Sequence, residues 1–137
     1  MKLNLVRWRV AMIGAVIAEV ALIASSFGWV AIYSYLINPG QPLATYQQHA
    51  IASGPWVSIV MGMPIFYAAG RWIAKTIPTA WALCGIVIAF DASVLAISGT
   101  AGLPIAFLAA SYITKLLASR LGGTHGANSA QRAAQMP

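Results

Sequence analysis

Gly14-Ala-Val-Ile-Ala-Glu19-Val-Ala-Leu-Ile-Ala-Ser-Ser26 is a run of small and apolar residues broken by one carboxyl group. Glu19 is one of only two acidic residues among 137, and the other, Asp91, lies in a second apolar run, Gly85-Ile-Val-Ile-Ala-Phe-Asp91. Neither acid serves to keep the chain soluble. Both runs read as helices that cross a bilayer, so the fold and the functional question come from the same stretch.

The composition agrees. The chain is 60% hydrophobic and 7% charged, with a mean hydropathy of +0.77, whereas a soluble domain carries about 25% charged residues. The formal charge of +6 does not indicate nucleic acid. The Lys and Arg residues flank apolar segments and form no dense patch. Cys84 lies in an apolar run with no basic neighbour in sequence, and reads as a small buried side chain. His49 and His125 are isolated and read as loop and tail residues. No metal-ligand cluster, cofactor motif or nucleophile–base pair is present in the sequence, so neither metal nor cofactor is predicted and an enzyme is the least expected class.

Four spans are predicted, at about 10–36, 54–73, 78–98 and 103–121, each near the roughly 20 residues that cross the hydrocarbon core. The first has a basic flank, Lys2, Arg7 and Arg9, but its apolar stretch outruns a signal peptide's. Asn38-Pro39-Gly40-Gln41-Pro42 stops it. The stretch 43–53 reads as a loop on the membrane surface, with a short interfacial helix or a recognition loop as the alternatives. Pro64 falls mid-span and predicts a kink, and 122–137, rich in Gly, Ala, Ser and Gln, reads as a disordered cytoplasmic tail. Lys2, Arg7, Arg9, Arg71, Lys75, Lys115, Arg120 and Arg132 all fall on one side, with none in the two opposite loops. The positive-inside rule then places both termini in the cytoplasm. The predicted fold is all-α: a four-helix transmembrane bundle, N-in and C-in.

The first and third spans share a small-residue pattern. Gly14, Ala18, Ala21, Ser25 and Gly28 recur as Gly85, Ala89, Ala92, Ala96 and Gly99. Such stripes let helix backbones approach closely in lipid, and are expected to be the packing faces. Gly62-Met-Pro-Ile65 and Trp72-Ile-Ala-Lys75 similarly echo Gly102-Leu-Pro-Ile105 and Tyr112-Ile-Thr-Lys115. One reading is a parallel duplication of a helical hairpin. Chance among abundant Gly and Ala is the other.

Glu19 lies about 15 Å past Arg9 along a helix, and Asp91 about 20 Å past Pro78, so both are deep in a ~30 Å core. An acid at a helix centre costs roughly 2.5–3.5 kcal/mol. No Lys or Arg is expected at that depth, because Arg71 and Lys115 read as flanking the cytoplasmic ends, so neutral carboxyl groups are expected. Neither acid lies on its helix's small-residue stripe.

The segment Gly14-Ala-Val-Ile-Ala-Glu19-Val resembles the first helix of small multidrug resistance transporters, and Ile77-Pro-Thr79 is a second echo. The resemblance implies a four-helix protein in which Glu19 exchanges protons for a cationic substrate. The chain departs from that family in its second membrane acid, its long segment 38–53 and its one-sided charge. The overall plan also resembles many small four-span bacterial inner-membrane proteins. That likeness implies a bacterial cytoplasmic membrane; because four short helices enclose little interior, a second copy or a larger membrane complex is expected as partner beside the lipid bilayer. Two functions are expected. The first is a structural or accessory role, with the acids as buried hydrogen-bond donors. The alternative is a proton-coupled transporter of a small cationic or amphipathic compound using Glu19 and Asp91. The two part on whether the bundle brings both carboxyl groups to one cavity.

Overall fold

The computed structural model describes residues 6–99 and 104–135. Lys2, Gly102 and Leu103 therefore lie outside the described residues, as does most of the turn expected after Ser98. Four helices account for nearly all of the rest. Helix α1 spans Trp8–Ile32 and closes in a π-helical turn, Tyr33–Ile37. Helix α2 spans Leu43–Ala68 and closes likewise in Ala69–Ala74. Helices α3 and α4 span Ile77–Ser98 and Ile105–Ala134. Each is long and apolar enough to cross a membrane. Large apolar side chains such as Ile13, Val20, Val60, Phe90 and Ile113 face outward. A helix apolar on every side suits lipid, not water. The chain is a multi-pass membrane protein.

The helices form a square whose packed sides are α1–α2, α2–α4, α4–α3 and α3–α1. Parallel neighbours are in register. Ser58 on α2 meets Ser111 on α4 at a separation of 53 residues, and the Arg7 amide near the start of α1 donates to Thr79 Oγ1 on α3. One end of the square carries Arg7, Arg71 and Lys75 and is called the basic end. The other carries Asn38–Pro42 and is called the uncharged end.

The segment 43–53 is the start of α2 and not a surface loop. Pro42 enters the helix with ψ 150, and nothing from Leu43 to Ser53 breaks it. Tyr46, His49, Ala50 and Ser53 recur at three- and four-residue spacing and are part-buried, while Gln47 and Gln48 are exposed. The His49 ring stacks on Tyr33 at 3.5 Å between centroids. The Tyr46 hydroxyl accepts from the Gln41 amide at 2.9 Å and donates to the Asn38 carbonyl at 3.0 Å. These contacts turn a polar sequence inward. The helix also continues through Pro55 and Pro64.

The segment from Gly122 is likewise helical and not a disordered tail. Gly122, Gly123 and Gly126 are buried. A Cβ on Gly122 would collide with the Tyr67 carbonyl, and one on Gly126 would meet the Arg71 carbonyl. A Cβ on Gly70, across the seam, would collide with the Ser119 carbonyl. The backbones of α2 and α4 are thus in direct contact, as small residues allow in lipid. Ser119 Oγ adds a 2.9 Å bond to the Ala80 carbonyl of α3, and Tyr67 bonds His125 Nδ1 at 2.8 Å.

This seam, rather than the repeated stripe, is the close-packed face. Of the stripe on α1, Gly14 and Ala18 are buried, Ala21 and Ser25 are half-buried, and Gly28 is exposed. On α3, Gly85, Ala89, Ala92, Ala96 and Gly99 are all exposed, and among the described residues nothing lies within 4 Å of a Cβ on Gly85. Helix α3 buries Thr79, Ala80, Leu83, Cys84 and Val87 instead. Leu83 fills the space beside Gly14, so a large residue serves where the stripe proposes a small one. The second sequence echo also fails to map onto equivalent places. Pro64 is inside α2 while Pro104 is the N-cap of α4, and Lys75 caps a helix while Lys115 is buried.

Candidate functional site in the middle of the bundle

Lys115 sits on α4, eight residues before Gly123, which packs on Thr76 and Ile77 at the start of α3. It is therefore about 12 Å inside the basic end. Side chains on a helix lean toward its N-terminus. Helix α4 begins at the uncharged end, so the Lys115 stem climbs away from the basic end into the membrane. Gly62 on α2 makes room for it: a Cβ there would stand 3.3 Å from both Cγ and Cε of Lys115. The side chain is 2% exposed, and its Nζ lies 5.6 Å from the centre of the Phe66 ring and 5.7 Å from that of Tyr112.

The ammonium reaches Asp91. Lys115 Nζ and Asp91 Oδ2 are 3.7 Å apart. The expectation of acids without a counter-charge is thus corrected. The physical reason is the length of α4. With the helix continuing past Gly122, Lys115 is a mid-span residue and not an interfacial one.

Both carboxyl groups do come to one place. A cavity of about 420 Å³ is lined from all four helices by Glu19, Ser58, Asp91, Ser111, Tyr112 and Lys115, with Ile23, Phe90, Val94, Leu95 and Leu108 as its apolar wall. Asp91 and Lys115 both act electrostatically on Glu19. Glu19 also borders a second, apolar cavity of about 300 Å³ between α1 and α3. Its Oε2 is buried and has no hydrogen-bond partner among the described residues. Ser58 and Ser111 share a 2.9 Å hydrogen bond in the wall.

The arrangement has a simple charge balance. Lys115 offsets Asp91, and Glu19 remains. Ionised, it leaves the cluster at minus one; protonated, it leaves it neutral. The site can therefore hold one proton or one monovalent cation at Glu19. A buried oxygen without a donor is costly, and either occupant would satisfy it.

Sequence reasoning found Glu19 and Asp91 but missed Lys115, Gly62, Ser58, Ser111 and Tyr112. A signal was present: Ser111, Lys115, Ser119, Gly122 and Gly126 fall at three- and four-residue spacing, one face of a helix that runs on past 121. Cys84 is buried, as its sequence context implies. His49 and His125 are helical residues held by Tyr33 and Tyr67. No protein-family model, no curated protein and no solved structure matches the chain.

Proposed function

We propose that the chain is a proton-coupled membrane transporter of a small, singly charged cationic compound with an apolar body. The observation that carries this reading is the buried Glu19 oxygen without a hydrogen-bond partner, in a cavity shared with the Asp91–Lys115 pair. A carboxyl group acting only as packing glue would donate to a carbonyl or hydroxyl. Glu19 instead borders open space between helices, where a proton and a cation would compete for one charge. Asp91, Lys115 and Tyr112 are the titratable groups that face it. The positive-inside rule supports a cytoplasmic basic end, and the plan of the chain suits a bacterial inner membrane.

The test is Glu19→Gln in proteoliposomes carrying a pH gradient. Gradient-driven uptake of a monocationic amphipathic dye is expected with the parent chain. The variant should lose it while keeping its melting temperature in detergent. Uptake that survives the substitution would overturn the assignment of Glu19, and no gradient-dependent flux with any of a panel of monocations would overturn transport.

A second reading is favoured by the exposed stripe Gly85, Ala89, Ala92 and Ala96. An unfilled small-residue face is where another transmembrane helix would pack, as in an accessory subunit or a homo-oligomer. Gly85→Leu distinguishes this reading. It should abolish cross-linking between copies, or to a partner, without changing the fold of the single chain.

A further inference from the structure

We propose that Lys115 sets the charge that the central site selects, an inference that rests on the cation-binding reading above. By neutralising Asp91 it leaves a single carboxylate, so that each proton leaving Glu19 is replaced by one positive charge and no more.

The ammonium is held in place from three directions. Its Nζ stands 3.7 Å from Asp91 Oδ2, and the side chain is 2% exposed. The stem lies along Gly62, where a Cβ would come within 3.3 Å of it. The rings of Phe66 and Tyr112 flank Nζ at 5.6 and 5.7 Å, and ring faces attract a cation. A buried ammonium held this way has no water to turn to and stays with its carboxylate. Glu19 lines the same cleft, is acted on by both charges, and has an Oε2 without a hydrogen-bond partner among the described residues. The Tyr112 phenol and the Cys84 thiol are also within electrostatic reach of the acids. Both groups are uncharged in their ordinary neutral-pH forms. Helix α2 faces the cluster with Ser58, Gly62 and Phe66, none of which ionises.

The charge that the cleft presents to a ligand, with Glu19 ionised, then follows from which of Glu19, Asp91 and Lys115 are present. The parent chain presents one negative charge. Lys115→Met presents two. Asp91→Asn presents none, because the ammonium, released from its partner, answers Glu19 and takes the electrostatic place of the ligand. The double variant presents one again. Close charge pairs that are shielded from water each change affinity by about tenfold or more.

The test is binding by the purified full chain in detergent, read by calorimetry and, in weak buffer, by the protons released. The probes are hexyltrimethylammonium, with one charge, and hexamethonium, with two on a chain of the same length. The parent chain should prefer hexyltrimethylammonium and release one proton for each molecule bound. Lys115→Met should raise the affinity of hexamethonium relative to hexyltrimethylammonium by about tenfold or more. It should also release two protons, since a buried Asp91 carboxyl without its ammonium takes up a proton of its own. Asp91→Asn should weaken hexyltrimethylammonium binding by about tenfold or more. The double variant should recover the parent's preference and its single proton, which a merely structural role of Lys115 would not produce. If Lys115→Met does not fold, Asp91→Asn and the double variant decide the matter. An unchanged preference in Lys115→Met, or parent-like binding by Asp91→Asn, would each overturn the proposal. Failure of the parent chain to bind either probe would overturn both the proposal and the cation-binding reading. The expected series in detergent with no gradient-driven flux in proteoliposomes would remove transport and leave the role of Lys115 standing. Flux without that series would do the reverse.

Discussion

At the scale of the residue, Lys115 changes the meaning of the two acids. Two carboxyl groups alone would be a pair of hydrogen-bonding or titrating groups. With an ammonium 3.7 Å from Asp91, one acid becomes half of an ion pair and the other is left to act. Removing one partner of a buried ion pair typically costs about 3–5 kcal/mol, because the remaining charge has lost its compensation. Asp91 retains 22% side-chain exposure, so the lower part of that range applies. Lys115→Met should therefore lower the detergent melting temperature, and Asp91→Asn added to it should restore most of the loss. A double variant as unstable as the single one would show that Lys115 acts through its aromatic neighbours Phe66 and Tyr112. The sequence hid this residue because a lysine close to the apparent end of a span reads as one that snorkels to the headgroups. Its direction depends on which way its helix runs and where that helix ends.

At the scale of the element, small residues are separated by what they touch. Gly122 and Gly85 look alike in sequence, yet a Cβ on the first would strike the Tyr67 carbonyl and a Cβ on the second would meet nothing within 4 Å among the described residues. Backbone cannot give way as a flexible side chain can. Gly122→Ala should then cost roughly 1–3 kcal/mol, the range for overpacking a filled interior, while Gly85→Ala should leave the melting temperature unchanged. Equal effects would refute the seam as the main helix contact. The contrast also shows how far the sequence could be read. The existence, type and number of helices follow from apolar length alone. Glu19 and Asp91 stand out because an acid in hydrocarbon is conspicuous. The ends of α2 and α4 were hidden, because Tyr46, His49 and the glycines after Leu121 have a polar or flexible composition. They are helical through particular tertiary partners, Tyr33 for the first and the α2 backbone for the second. The stripe on α3 failed for the complementary reason: periodicity identifies a face but not what lies opposite it.

At the scale of the whole molecule, the bundle is divided into a solid half and a hollow half. Toward the basic end, alanines, glycines, Leu83, Cys84 and Phe66 fill the interior. Toward the uncharged end, the helices leave open clefts of about 330 Å³, between α2 and α4, and about 420 Å³, lined from all four helices. The charges lie at the boundary, where Lys115 can be wrapped from below and Glu19 left open from above. This division assigns a structural duty to the part of α4 that looks least structural. Residues 128–135 are exposed, so a chain ending after Gly126 should keep its seam and melt like the full protein. A chain ending after Leu121 loses Gly122, Gly123, Gly126 and the Tyr67–His125 bond. It leaves Lys115 above an unsealed end, where water can reach the ion pair. That shorter chain should elute as an aggregated or heterogeneous species in detergent, and Cys84, protected in the longer one, should become reactive to thiol reagents. If it remains monodisperse with Cys84 still protected, the glycine seam is not what closes the basic end, and the solid half must be held by α1 and α3 alone.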